Sequence, residues 1–177
     1  SGVEDKTIGR AKFIELMKTP NGTKIGRFGE EVIPSDAILN GVIKDKIAIE
    51  KVISGLQKKY GLSFARISIP EEETYLLEIP FPLAPLEVLR KTAETQFEEY
   101  VPMKRAESVF DLDVIGVSKK QATVRVQMSA VSEAIVQTYE TVFQHAGITP
   151  VSFEAESQAL MRAIIQRRES GPTHNVD

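Results

Sequence analysis

The stretch "QFEEYVPMKRAESVFDLDVIG", residues 96–116, changes its hydrophobic period at Pro102. Before the proline, Phe97, Tyr100 and Val101 form an apolar stripe with Ala93 at spacings of three and four, the mark of a helix packed on its own sheet. After it, Val109, Leu112 and Val114 alternate with polar residues, which predicts a strand. Proline ends the helix because it has no N–H to continue the backbone ladder. A chain with this joint needs helices laid on sheets, an α/β (α+β) class, and 177 residues suit one domain or two small subdomains.

The remaining chain supports that class. Residues 11–17 and 24–33 predict a hairpin about the Asn-Gly of "TPNGTK". "PSDAILNGVIKD" reads as a connector, and Asp45 opens a helix with Ile49, Val52, Ile53 and Leu56 on one face, closed by Gly61. "SFARISIP" predicts a strand through Phe64, Ile67 and Ile69, ended by Pro70. After "EEE" a second unit begins with the strand "TYLLEIPF" and a helix from about Pro85 to Tyr100. Strands at 108–117 and 122–131 follow, turned by "SKKQ", then a helix over 132–146 with Ser132 as cap. Gly147 stops it, "TPVSFEAE" returns as a strand, and "SQALMRAIIQRRE" predicts a last helix with Leu160, Ala163 and Ile164 inward. Subdomain limits are expected near 72 and 148.

Several function classes are disfavoured. The net charge is −3 with both signs dispersed, which offers no basic face for nucleic acid. There is no cysteine, so thiolate metal sites and cysteine nucleophiles drop out. No apolar run approaches the ~20 residues that span a bilayer, and the first residues show no secretory signal; a cytoplasmic protein is expected. None of the G-x-S-x-G, Walker or dinucleotide-binding loops occurs. "GRFG", 26–29, imitates a G-x-x-G clamp but lies inside a strand pattern, where a β-bulge or close-packed strand is expected. "EEE", 71–73, reads as a solvated linker, and Asp111 and Asp113 as the polar side of a half-buried strand. His145, at a predicted helix end, complements the negative C-terminus; His174 lies in the tail.

The order of "KFIEL", "GRFGEEVIPSDAILNGVIKDK", "ARISIPEEETYLLEIPFP", "QFEEYVPMKRAESVFDLDVIG" and "VFQHAGITPVSFEAESQAL" resembles the PilM family. These are actin-like components of type IV pilus assembly, related to the cell-division protein FtsA. The resemblance implies half of an actin-like (ribonuclease H-like) fold. Subdomain 1A would comprise 1–72 plus 149–177, and an inserted strand–helix–strand–strand subdomain, 1C, would comprise 73–148.

The function implied is that of a non-catalytic cytoplasmic scaffold. It would capture the N-terminal cytoplasmic peptide of a PilN-like bitopic membrane protein between the two subdomains and so be recruited to the inner face of the membrane. Contacts to that peptide are expected at Leu76, Ile79, Phe97, Tyr100 and Val101. Self-association and a pilus motor ATPase are further partners that the resemblance allows. The alternative is an actin-like ATP-binding protein or ATPase, with Glu4 or Asp5 replacing the family's phosphate-loop aspartate and Thr7 and Lys12 at its polar and basic positions. The family's Asp-hydrophobic-Gly triplet is missing from "GVEDKTIGRAK", and its second phosphate-binding strand would begin about where "THNVD" stands. No cofactor is therefore expected on these residues, ATP and magnesium entering by family analogy alone, and no metal site or catalytic residue is expected.

Overall fold

The computed structural model describes residues 9–20 and 22–155. The predicted last helix with Leu160, Ala163 and Ile164, the turn residue Asn21, His174 and the candidates Glu4, Asp5 and Thr7 lie outside them. The described chain is mixed α/β, and it divides into two compact units, the described residues of one lying within 9–69 and 139–155, those of the other within 70–138. The divisions thus fall at 69/70 and inside a helix at 138/139, where the sequence reading drew limits near 72 and 148.

In the first unit, β1 (Arg10–Thr19) and β2 (Gly22–Val32) form an antiparallel hairpin. Its register shifts between Ile14 and Leu16, where β2 holds an extra residue, the bulge expected of "GRFG". Two-residue strands β3 (Ile38–Leu39) and β4 (Val42–Ile43) make a second, minimal hairpin. The sequence reading treated this region as connector only. Asn40 and Gly41 both have positive φ, 50° and 78°, as a two-residue primed turn demands, and the Asn-Gly pair was its visible signal.

Helix α1 (Lys46–Tyr60) begins where the Asp45 side chain accepts the Ala48 N–H at 3.0 Å and ends at Gly61, φ 64°, whose N–H reaches the Gln57 carbonyl at 2.7 Å. It buries Ile49, Ile53 and Leu56. Strand β5 (Phe64–Ile69) pairs in parallel with β9 (Thr149–Ala155). Ile67 and Ile69 are buried whereas Phe64 is 70% exposed, because an even position in a strand faces away from its odd neighbours. The C-terminal part of α4 (Glu133–His145) belongs to this unit: Tyr139 and Val142 are buried, and the Tyr139 hydroxyl donates to the Gly41 carbonyl at 2.8 Å. His145 Nδ1 lies 2.9 Å from Glu50 Oε1, joining α4 to α1.

The β1–β2 hairpin is tied to the end of α1 by one of its faces. Phe13 packs on Tyr60 with centroids 4.6 Å apart, and Gly29 lies beneath both rings. Glu15 accepts the Arg27 Nε at 2.9 Å, Nη2 at 2.7 Å and backbone N–H at 3.1 Å, while Arg27 Nη1 donates to the Tyr60 carbonyl. The hydrogen bonds from the Arg27 side chain, then from its backbone, hold the Glu15 carboxyl at about 2, below the ordinary 4.5. A folded-state value below the unfolded one stabilises above the ordinary carboxylate range and ceases to do so as pH falls toward the folded value. The hairpin anchor is therefore expected to hold at neutral pH and loosen between about 4.5 and about 2. A pH titration of the Glu15 carboxyl carbon and the Arg27 amide by NMR checks this: a midpoint near 4.5 would contradict it, and Glu15→Gln should abolish the transition.

The second unit is a three-stranded antiparallel sheet ordered β6 (Thr74–Pro82), β8 (Thr123–Ser132), β7 (Ser108–Ser118), preceded by a single 3-10 turn at Glu71–Glu73. Helices α2 (Leu86–Thr95) and α3 (Phe97–Tyr100) cover one face. The expected single helix over 85–100 is broken at Gln96, φ −99° and ψ 10°. The break swings Phe97 into the core, where it is 0% exposed among Ile79, Leu89, Val101, Leu112 and Met128. Val109 does not share the face of Leu112 but is exposed on the other side, since the two differ by an odd number of residues.

Candidate partner-binding site

The five residues expected to meet a partner peptide separate into two groups. Ile79, Phe97 and Val101 are buried in the core of the second unit, so their first role is packing and they present no surface. Tyr100 is half-buried, its hydroxyl 3.3 Å from Gln96 Oε1 and its ring edge-on to Phe81. Leu76 lies half-buried on β6, on the sheet face opposite Leu77 and Ile79. It stands in register with Ser129 on β8, which pairs in turn with Asp111 on β7.

The chemistry around Leu76 is set by the strand's backbone. β6 is an edge strand, and Pro80 and Pro82 lie within its register with Arg125 and Thr123. A proline fits only where the ladder asks for no donor, so the even positions of β6 point their backbone groups away from β8. Leu76 and Glu78 therefore offer N–H and C=O groups outward, and among the described residues these make no backbone hydrogen bond outside the ladder. At the opposite edge, β7, the same parity puts Ser108, Phe110, Leu112 and Val114 outward, and the Ser108 carbonyl and the Leu112 N–H are occupied. The Arg105 Nη1 donates to the Ser108 carbonyl at 3.0 Å, and the Leu112 N–H donates to Asp111 Oδ1 at 2.8 Å. Arg90 Nη2 holds that carboxylate at 2.6 Å. One edge is thus engaged by side chains at two of its positions, and the other is open at Leu76 and Glu78, a geometry able to receive an extended peptide by main-chain pairing.

Arg105 also closes the joint that follows Pro102. Its guanidinium lies 4.6 Å from the Phe110 ring centroid, and Nη2 pairs with Glu94 at 2.9 Å. It was not singled out by the sequence reading.

Of the nucleotide candidates only Lys12 falls among the described residues. Lys12 is exposed on β1, in register with Glu30, and its proposed companions lie outside the described residues. Among the described residues no group of three or more metal-ligating side chains converges, and no helix is long and apolar enough to cross a membrane.

A family profile described as type IV pilus assembly protein PilM matches residues 5–177. The chain belongs to the PilM family. The family is described as one of type IV pilus assembly proteins. A solved PilM-PilN type IV pilus biogenesis complex contains a chain similar in fold, with a TM-score of 0.77 at 17% identity over 89% of this chain and 48% of that one. The cytoplasmic domain of EpsL, an inner membrane component of the type II secretion system of Vibrio cholerae, is similar with a TM-score of 0.52 at 8% identity, over 81% of this chain and 51% of that one. This PilM-family chain therefore spans about half the length of these two solved chains. No curated protein matches its sequence.

Proposed function

We propose that this PilM-family chain is a cytoplasmic scaffold that binds the N-terminal cytoplasmic peptide of a PilN-like inner-membrane protein, with the second unit supplying strand β6 as the docking edge. The observation that carries the reading is the state of the two sheet edges: Leu76 and Glu78 on β6 keep their outward backbone groups, whereas on β7 the Ser108 carbonyl and the Leu112 N–H are engaged by Arg105 and Asp111. Main-chain pairing would supply affinity, and the half-buried Leu76 with its in-register neighbours would supply a side-chain contact. The likeness to a chain from a PilM-PilN complex supports the choice of partner.

Titrating the protein with a synthetic PilN-type N-terminal peptide is expected to shift amides within 74–79 first and then, through the core, within 89–101. Leu76→Pro removes an outward donor without touching the core and should weaken binding at least tenfold, equivalent to about 1.4 kcal/mol. The absence of any shift at millimolar peptide, or shifts confined to the first unit, would refute the proposal.

A further inference from the structure

Strand β6 offers different chemistry at its two ends. Its outward positions are the even ones, Thr74, Leu76, Glu78, Pro80 and Pro82. The first three each turn an N–H and a C=O toward the free edge. A proline has no N–H, so Pro80 and Pro82 turn out carbonyls alone. Both prolines are exposed, and among the described residues their carbonyls accept no hydrogen bond outside the ladder. The next donor along the chain, the Leu83 N–H, already reaches the Ala122 carbonyl at 2.8 Å. The edge therefore gives and receives hydrogen bonds over residues 74–78 and only receives them over 80–82.

This polarity decides which way round an extended peptide lies. Full pairing is available at Thr74, Leu76 and Glu78; past Glu78 each carbonyl that the peptide turns inward meets a proline ring in place of a donor. A peptide therefore fits best when it ends there, and ends in donors. A free amino terminus is such an end, since an ammonium group carries three N–H and accepts nothing, and its hydrogen bonds to carbonyls are strengthened by its charge. A terminal carboxylate would meet acceptors with acceptors. Side-chain charge near Pro80 is balanced, because Arg125, in register with it, lies 3.6 Å from the Glu78 carboxylate. An antiparallel strand puts its amino end beside Pro80 and sends the rest of its chain out past Thr74. A parallel one would run its continuing chain along the prolines.

We infer that the peptide adds to β6 in antiparallel sense, with its free amino terminus hydrogen-bonded to the Pro80 carbonyl. The ligand class is thus an extended segment at the very start of a chain, not an internal one. This rests on the docking edge proposed above and assigns its direction and the group that ends it.

A synthetic PilN-type N-terminal peptide tests it on the full chain, which has no cysteine of its own. With a nitroxide on a cysteine added at the peptide's C-terminus, paramagnetic broadening is expected at the amides of Tyr75, Leu76 and Val131 and not at those of Phe81, Leu83 or Thr123. In fluorescence anisotropy, acetylating the peptide's α-amino group should weaken binding about fivefold. Pro80→Ala supplies an outward N–H at an exposed position. It should tighten, about threefold, a peptide lengthened by two residues before its first, which gains nothing on the unaltered chain. Equal affinities of the free and acetylated peptides, or broadening at Phe81 and Thr123, would overturn the inference and leave the docking edge standing, the prolines then only blunting the strand against other sheets. No binding of either peptide at about 1 mM would remove both proposals.

Discussion

Phe97→Ala is expected to unfold the second unit selectively, with a loss of about 3–5 kcal/mol. The ring is 0% exposed, meets Phe110 at 5.5 Å between centroids, and lies 5.9 Å from the Arg105 guanidinium. Truncation removes the transfer free energy of the ring and leaves a cavity between α3 and the sheet. The unit is only a three-stranded sheet with one covered face, and small domains are stable by roughly 5–15 kcal/mol, so the loss approaches the whole margin. Hydrogen exchange followed by mass spectrometry should show protection lost over 74–132 and retained over α1. Unchanged protection of β8 would show that Phe97 is not the keystone of this core. The same variant would abolish binding of a peptide at β6 without touching it, which is why Leu76→Pro, not Phe97→Ala, tests the docking edge.

The second large effect is expected at Gly29→Val. A Cβ placed there would lie 2.7 Å from Tyr60 Oη, 2.8 Å from Phe13 Cε1 and 2.9 Å from Tyr60 Cζ. Neither ring yields easily, because each packs on the other and Tyr60 is the last residue of α1. Overpacking of this kind costs about 1–3 kcal/mol, and here it is concentrated on the contact that seats the hairpin. Gly26→Ala is the comparison: its nearest neighbour is the flexible carboxylate end of Glu15, at 2.6 Å, so it should disturb the Glu15–Arg27 pair and little else. Thermal unfolding with amide exchange over 10–32 distinguishes them. Equal and slight effects of the two substitutions would mean that the hairpin is not held by the Phe13–Tyr60 stack.

How far these features were legible beforehand depends on their range. Asp45 and Gly61 fixed the ends of α1 because a cap is a contact within four residues, and the "GRFG" bulge was visible because two glycines interrupt a strand pattern for few other reasons. The Asn40-Gly41 turn was equally local and went unread among neighbouring turn residues. The stripe Ala93, Phe97, Tyr100 and Val101 was correctly a packing face. Ile79, Phe97 and Val101, expected at a peptide surface, lie within the core, because depth within a core is a property of what lies opposite.

The sequence alone determined the period of most described segments, the caps of α1, the mixed α/β class and, through the order of its motifs, membership of the PilM family. All of these rest on residues near one another or on their succession. Tertiary structure alone decided that Arg105 and Asp111 engage the β7 edge at Ser108 and Leu112, and that one face of the first hairpin is seated on Tyr60 while Ile14, Leu16, Ile25 and Phe28 are exposed on the other. Register and the choice of face couple residues far apart in the chain, and a single-residue slip would exchange every side chain between faces. No local pattern carries that information.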